Sequence, residues 1–395
     1  MLCYGGGGRE RETNMDRRER VFRQIRGEEV DRIPLMGGWI QSADNLATLA
    51  SLTIEEYLAD PVAGVVKANA ALGVDCVTFP LVPMRQDEIR IGHILDESFA
   101  GIEPEHIKRD AEAVPDTDEG IIAAFNTEEA EAFYRKILEH WTGVLGDILL
   151  IATTWNSVPN FMMYCKYGYQ AYFLAIAMYP EHVGRLYHKS AIEARQLNYI
   201  LMKLMREYKL PPIIFTGHDI CSNTGPMCSM EFLHQYYFAE EKYALEPLVD
   251  AGIRVVRHCD GNVMPLIDNV FDQGYSGFQG FQYECGIDPF AIAEHTGPRG
   301  EPLLFLAGMN VTRSLPFGTP ADVRDEIDYA FDYTQGGRGL FLFSSNGIGP
   351  EVPLENIRCA YEYAASIRLP RARAASGRRP WPWLAREAAT TGGKD

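Results

Sequence analysis

The sequence predicts an α/β fold, a single (β/α)8 TIM barrel with an insertion after the second strand. Short apolar and β-branched runs alternate with amphipathic stretches along the 395 residues, a pattern typical of parallel strands joined by crossover helices. Eight such runs can be placed, and eight strands close this kind of barrel. Polar and ionisable residues follow most of the runs, at the barrel face where enzymes of this fold place their chemistry.

The candidate strands are five or six residues long and rich in residues that favour strands. In chain order they are Ile33–Gly37, Val74–Phe79, Ile148–Thr153, Pro212–Thr216, Ile253–His258, Gly277–Phe281, Leu303–Ala307 and Gly339–Phe343.

Helical patterns lie between these runs. Met230–Ala251 and Pro320–Tyr333 are the most regular, with Ser229 and Thr319 placed as N-caps. About sixty-eight residues separate the second and third strands, far more than one crossover helix needs. Met84–Gly146 is therefore interpreted as an insertion, a hairpin that either covers the barrel mouth or forms a surface excursion.

Composition limits the function classes. A net charge of −17 argues against a nucleic-acid partner, and no apolar run reaches the roughly 18–20 residues needed to span a bilayer. The eight cysteines form no CxxC pair and the first residues lack the apolar core of a signal peptide, so we expect a cytoplasmic protein with reduced thiols. We expect a disordered extension over 1–15, the barrel over 16–370 and a flexible tail over 371–395.

The most informative segment is IRVVRHCDGN, in which a short buried strand, Ile253–Val256, leads directly into a histidine and an aspartate. His258 and Asp260 are two residues apart and share a side if the strand continues that far. An imidazole and a carboxylate can both bind zinc or form an acid/base pair. The alternative is a hydrogen-bonded core histidine followed by a turn-forming Asp-Gly.

Other strand ends supply further candidates. Asp219 could bind substrate or orient His258, or only cap its loop. Glu284 could supply a ligand oxygen or act as a general acid, or face solvent as an ordinary loop glutamate. The substrate-binding candidates are Trp39, Trp155, His218, Gln282 and Asn346. The two tryptophans could form an apolar wall, although residues at such positions can equally be packing.

Several segments, in this order and spacing, resemble the uroporphyrinogen decarboxylase superfamily, whose members are (β/α)8 barrels. They are RRERVFRQIRGEEVDRIPL, GHDICSNTGPMCSMEFLHQYY, RHCDGNVMPLIDNVFDQGYSGFQ, LPFGTPADVRDEI and FSSNGIGPEVPLENI. The resemblance runs from about Arg17 to Ile367, nearly the whole expected barrel.

Uroporphyrinogen decarboxylase itself fits less well than the cobalamin-dependent methyltransferase and O-demethylase-like branch. Its arginine-bearing MRQAGR motif is replaced by MGGWIQSAD (Met36–Asp44), and FPLVP (Phe79–Pro83) holds no acid where that enzyme has an aspartate. A tetrapyrrole that carries many carboxylates needs cationic partners, of which arginine is the natural one.

The resemblance to the methyltransferase branch implies a zinc site made of an HxC pair and a later cysteine. His258 matches the histidine, while Asp260 and Asn346 occupy the two cysteine positions. A thiol-type zinc site is therefore not expected, and the HxDG variant resembles members associated with O-demethylation and with unassigned decarboxylase-like proteins.

The leading hypothesis is a metal-assisted methyltransferase that moves a methyl group from a small ether or similar substrate to a corrinoid protein. Zinc or another divalent metal would be bound by His258, Asp260 and Glu284, and these residues with Asp219 would be catalytic. No DxHxxG-type corrinoid motif is present, so the cobalamin would sit on a separate protein. Cofactor-independent decarboxylation is the alternative, a non-catalytic ligand-binding barrel is third, and homodimer formation is left open.

Overall fold

The computed structural model describes residues 14–84, 99–370, 378–384 and 386. The strands are β1 (Met36–Gly37), β2 (Cys76–Val77), β3 (Leu149–Leu150), β4 (Ala152–Thr153), β5 (Ile213–Thr216), β6 (Cys221–Ser222), β7 (Gly225–Pro226), β8 (Arg254–His258), β9 (Gly277–Gln279), β10 (Leu304–Met309) and β11 (Leu340–Ser344). The helices are α1 (Arg17–Arg26), α2 (Ala43–Leu49), α3 (Ile54–Ala59), α4 (Pro61–Ala71), α5 (Pro104–Glu112), α6 (Asp118–Ala124), α7 (Thr127–Val144), α8 (Tyr164–Tyr167), α9 (Tyr169–Met178), α10 (Pro180–Glu207), α11 (Met230–Tyr236), α12 (Phe238–Asp250), α13 (Ile267–Asp272), α14 (Pro289–Ile292), α15 (Ser314–Phe317), α16 (Pro320–Tyr333) and α17 (Leu354–Ser366).

Two parallel sheets form the centre of the α/β fold. The larger has six strands in the order β11-β10-β9-β8-β5-β4, and the smaller has the order β1-β2-β3. The strands of the larger sheet are buried along nearly their whole length, as expected for a parallel sheet that is covered on both faces. The strands β6 and β7 form a separate antiparallel pair.

Each of the eight predicted strands overlaps a strand of the structure. The third, Ile148–Thr153, is divided at Ile151: β3 pairs with β2 and β4 pairs with β5, so this segment joins the two sheets. On the opposite side two isolated parallel bridges, Leu35 to Leu342 and Ile40 to Ile348, join the segments around β1 and β11. An eight-stranded closure stays a prediction, because these bridges do not form a continuous ladder.

The predicted helix caps are confirmed, and one predicted helix is divided. The Ser229 side chain accepts a hydrogen bond from the Phe232 backbone N–H, and Thr319 forms a capping box at the start of α16. The predicted helix Met230–Ala251 is interrupted at Tyr237, whose φ of −121° and ψ of −52° separate α11 from α12.

The described part of the insertion is helical. The helices α5, α6 and α7 occupy residues 99–146 together with their connections, and no hairpin occurs within that range. Residues 85–98, where part of the predicted hairpin falls, lie outside the described residues. The long helix α7 is attached to α10 by the ion pair between Arg135 and Glu207, and Arg135 also pairs with Glu131 of α7 itself. The insertion therefore places one fixed helix beside the strand ends.

Within the described parts of the chain, no helix is both long enough and apolar enough to cross a membrane. In the segment 378–384, Trp381 is 3% exposed, and its ring centroid lies 5.3 Å from that of Tyr283. The proposed boundaries of the N- and C-terminal extensions stay predictions.

Candidate metal centre and adjoining cavity

Three potential metal ligands meet where two neighbouring strands end. The strands β5 and β8 are parallel partners, with Thr216 opposite Arg257, so the segments that follow them lie side by side. Asp219 follows β5, and His258 is the last residue of β8, with Asp260 two residues later. One ligand atom from each of these three lies within 4.8 Å of the others, and the described residues contain no other group of this kind.

The backbone also connects the two segments. Asp219 Oδ1 accepts a hydrogen bond of 2.8 Å from the Asp260 backbone N–H. Gly261 continues the turn at φ +80°, and a Cβ there would lie 2.4 Å from the Ser222 carbonyl oxygen, so only glycine fits this close approach. The turn-forming Asp-Gly of the sequence therefore brings Asp260 back toward Asp219.

The tautomer of His258 is fixed by a glutamine on the adjacent strand. Gln279 donates both amide hydrogens, to the Ser344 carbonyl at 2.7 Å and to the Ser345 carbonyl at 2.8 Å. Its Oε1 is therefore the acceptor that faces His258 Nδ1, at 2.5 Å. With the proton on Nδ1, the Nε2 lone pair points toward Asp219 Oδ1, 3.4 Å away. A histidine oriented in this way is prepared to bind a metal through Nε2.

The centre carries an excess of negative charge. Burial, with the nearby Asp219 carboxylate, raises the pKa of Asp260 to about 6, although the charge of His258 opposes the change. Burial lowers the pKa of His258, but the charges of Asp219 and Asp260 outweigh it, so that pKa is raised. The Asp219 carboxylate contributes to both shifts.

One buried carboxylate oxygen of this centre has no hydrogen-bond partner in the part of the chain that the structure describes. Asp260 Oδ2 accepts a hydrogen bond of 2.6 Å from Asn346 Nδ2, whereas Asp260 Oδ1 is buried and unpaired. A buried unpaired carboxylate oxygen is costly unless a proton or a cation compensates it. The donor set of one imidazole and two carboxylates suits zinc or another divalent ion, and the three residues therefore fit a metal.

Glu284 lies outside this group. Its two oxygens accept hydrogen bonds from Asn310 Nδ2, at 3.1 Å, and from the Thr312 hydroxyl. Its charge still reaches Asp260, whose pKa it helps to raise. Asp219, rather than Glu284, completes the group with His258 and Asp260.

Two of the predicted substrate-binding residues support the backbone of the site. Gln282 Oε1 accepts a hydrogen bond of 2.7 Å from the Gly261 N–H. His218 is 3% exposed and its Nδ1 lies 3.1 Å from the Pro159 carbonyl oxygen; burial and the charge of Arg257 lower its pKa to about 4. Neither side chain lines the cavity beside the centre.

That cavity has a volume of about 400 Å³ and is lined by three other predicted substrate-binding residues, Trp39, Trp155 and Asn346. The ring centroids of Trp39 and Trp155 lie 6.2 and 5.4 Å from that of His258. Asn346 connects the cavity with Asp260 through the hydrogen bond described above. The cavity therefore lies directly beside the metal-ligating group.

Sequence reasoning missed three residues that contribute to the site. Gln279 is a fully buried polar residue at the end of the otherwise apolar run Gly277–Gln279, and a polar side chain inside a predicted strand was the available signal. Phe133 and Tyr134 of α7 form the outer cavity wall. Their signal was an adjacent aromatic pair on a helix that is otherwise rich in acids.

No family model matches the chain, and no curated protein matches it either. Among solved structures the chain is similar to a methyltransferase from Methanosarcina mazei, with a TM-score of 0.57 and 17% sequence identity. The alignment covers 89% of this chain and 98% of that protein. At this identity the likeness shows a shared fold, and the resemblance to the uroporphyrinogen decarboxylase superfamily stays a prediction.

Proposed function

We propose that the chain is a methyltransferase that removes a methyl group from a small ether with the help of a divalent metal. The observation that carries this proposal is the group of Asp219, His258 and Asp260, with the histidine tautomer fixed and one aspartate oxygen unpaired. The similar methyltransferase fold and the bridge between Leu35 and Leu342, which would close an eight-stranded barrel, support the assignment.

Asp219, His258 and Asp260 would hold the metal, which when bound supplies Lewis acidity toward the ether oxygen as the carbon–oxygen bond breaks. An alkoxide or phenoxide leaves poorly unless its developing charge is neutralised. Asn346, hydrogen-bonded to Asp260 and exposed to the cavity, orients that carboxylate next to the substrate. Gln279 keeps His258 in the tautomer that the arrangement requires.

The methyl acceptor in this proposal is a reduced corrinoid carried by a separate protein. The proposal follows from the predicted branch of the family and from the absence of a DxHxxG-type motif in the sequence. The methyl group is transferred to the acceptor, and the ether oxygen leaves with the bonding electron pair and then takes a proton.

Cofactor-independent decarboxylation is the second candidate, and one contact favours it. His258 Nε2 and Asp219 Oδ1 are 3.4 Å apart, a distance at which the pair could hold and pass a proton. The two candidates differ in whether the Asp219, His258 and Asp260 group binds a metal.

The first experiment is elemental analysis of protein purified without chelator, with Asp219→Asn, His258→Gln and Asp260→Asn as near-isosteric variants. We expect about one divalent ion per wild-type chain and its loss from all three variants. Glu284→Gln is the matched control and should keep the metal. The Glu284 side chain is hydrogen-bonded to Asn310 and Thr312 and is not part of the metal-ligating group.

The second measurement follows methyl transfer from an ether to free reduced corrinoid by the change in corrinoid absorbance. Folded wild-type chain that binds no divalent ion, when supplied with several, would sink the metal-assisted mechanism. Carbon dioxide release from a carboxylated substrate by that same protein would put decarboxylation in its place.

A further inference from the structure

The cavity beside the metal-ligating group is walled by aromatic rings. Trp39 and Trp155 form its inner side, and Phe79 and Phe133 lie toward its outer side. Phe79, Phe133 and Trp155 are 45%, 58% and 40% exposed, an unusual degree for clustered large apolar side chains. Aromatic faces of this kind pack favourably on another ring, in offset or edge-to-face geometry.

The size of the cavity suits a small molecule. Its volume of about 400 Å³ lies near the lower end of the roughly 300–1,000 Å³ typical of ligand sites. Helix α7 closes one side, where the Tyr134 hydroxyl lies 2.7 Å from Thr154 Oγ1 at the end of β4. This contact fixes the wall on the side of α7, and the volume is sufficient for one ring with short substituents.

The described residues that line the cavity include no lysine, arginine, aspartate or glutamate. Its polar groups are neutral and belong to Gln41, Thr153, Thr154, Asn156 and Asn346, with the Tyr134 hydroxyl. A charged substituent buried there would lose its hydration without gaining a counter-charge.

The polar and apolar parts of the cavity give a bound molecule a direction. Asn346 marks the end next to Asp260, and Trp39 and Trp155 flank His258 at that same end. A ring held between the aromatic walls would place a substituent at the Asn346 end within reach of the metal-ligating group.

We propose that this cavity binds an uncharged, single-ring aromatic methyl ether, with the ring against Trp155 and Phe133 and the ether oxygen at the Asn346 end. The identity of the ether group rests on the proposed function. Binding of a neutral ring does not, because it follows from the cavity alone.

Isothermal titration calorimetry on the full chain tests the inference with three matched probes. They are para-methoxybenzyl alcohol, its charged counterpart para-methoxybenzoate, and the saturated para-methoxycyclohexylmethanol. We expect the benzoate to bind at least about tenfold more weakly than the alcohol, because its charge is desolvated without a partner. The saturated probe should bind several-fold more weakly, because it lacks a π face.

Two variants locate the binding. Trp155→Ala should lower the affinity for para-methoxybenzyl alcohol by about tenfold. Phe133→Ala alters the wall without touching His258 and should lower the same affinity by about threefold. The control is Phe317→Ala, because Phe317 is 67% exposed and lies outside the cavity. It should leave the affinity unchanged.

Three results would overturn the inference: equal or tighter binding of the benzoate, no binding of any probe, or affinities that both wall variants leave unchanged. Failure of the proposed function has a different signature. In that case the neutral ring binds as expected and both variants weaken its binding, but methyl transfer from para-methoxybenzyl alcohol to reduced corrinoid does not occur.

Discussion

Two consecutive residues of β8, Arg257 and His258, enter two buried charged clusters of opposite character. Arg257 is 1% exposed and pairs with Glu241 of α12, which is fully buried, at 2.5 Å. Tyr275 contacts both partners, at 2.9 Å from Arg257 and 2.7 Å from Glu241. His258 belongs to the other cluster, with Asp219 and Asp260.

The difference lies in the balance of charge. In the Arg257–Glu241 cluster one cation meets one anion, and folding alone accounts for the arrangement. Two carboxylates share one imidazole around His258. Both clusters contain buried atoms without a hydrogen-bond partner among the described residues, Asp260 Oδ1 in one and Glu241 Oε2, Arg257 Nε and Arg257 Nη2 in the other, so the clusters differ in net charge alone. Such an imbalance persists in a folded protein where a ligand or a proton compensates it, which is why perturbed groups of this kind mark functional sites. Adjacent residues of one strand thus belong to two clusters, one with balanced charge and one with an excess of carboxylates.

The largest expected effect comes from breaking the balanced cluster. Glu241→Gln leaves the Arg257 charge buried without its counter-charge, and we expect a loss of about 3–5 kcal/mol in the free energy of unfolding, measured by urea denaturation. Asp260→Asn is the matched control, because it removes one of two like charges; without added metal it should change that free energy by less than about 1 kcal/mol. Equal losses in both variants would erase the distinction between the clusters.

A third buried carboxylate, Glu326, extends the comparison because no ion pair joins it to a cation of the described residues. Burial raises the pKa of Glu326 to about 7, although hydrogen bonds from the Ser314 hydroxyl and the Asn310 backbone act against this. The folded-state pKa lies above the ordinary value of 4.5, so the stabilisation is complete below about 4.5 and is lost as the pH rises through about 7.

With about 1.4 kcal/mol for each pKa unit, ionisation of Glu326 costs about 3 kcal/mol of folding free energy between acidic and mildly alkaline pH. We expect Glu326→Gln to remove that part of the pH dependence when unfolding free energies are compared at acidic and alkaline pH. Glu119→Gln, on the exposed surface, serves as the control and should follow the wild type. A wild-type profile that Glu326→Gln leaves unchanged would show that Glu326 does not titrate in this range.

The elements that sequence predicted well are those set by local signals. Ser229 and Thr319 cap helices as expected, because a cap depends on a few neighbouring residues. The break at Tyr237 was not visible in the helical pattern of Met230–Ala251. The Tyr237 side chain is buried and its hydroxyl donates to the Pro159 carbonyl at 3.1 Å, a contact made 78 residues away along the chain.

The candidate site shows the same difference between local signals and contacts made far along the chain. His258 and Asp260 were found because they lie within one short motif, and Asp219 because it follows a strand. The role of Gln279 depends on the register of β8 and β9, in which His258 stands opposite Gln279, and no pattern within either strand specifies that pairing. Glu284 accepts hydrogen bonds from Asn310 and Thr312. These two partners likewise follow a different strand from the one that Glu284 follows.

The smallest effect, on the metal site alone, tests whether the second cluster is prepared for a ligand. Gln279→Leu keeps the side-chain volume but removes the acceptor for His258 Nδ1, so the tautomer and the ring orientation are no longer fixed. We expect the affinity for zinc, measured by competition with a chromogenic chelator, to fall about 10- to 100-fold.

Gln273→Leu is the matched control for this change. Gln273 is a buried glutamine whose side-chain nitrogen and oxygen have no hydrogen-bond partner, so its replacement removes no such contact and should leave zinc affinity unchanged. If both variants bind zinc like the wild type while circular dichroism shows them folded, the contact between Gln279 and His258 only fills space. If Gln279→Leu alone weakens binding, the histidine is oriented for a metal, and the two clusters on β8 differ in purpose as well as in charge.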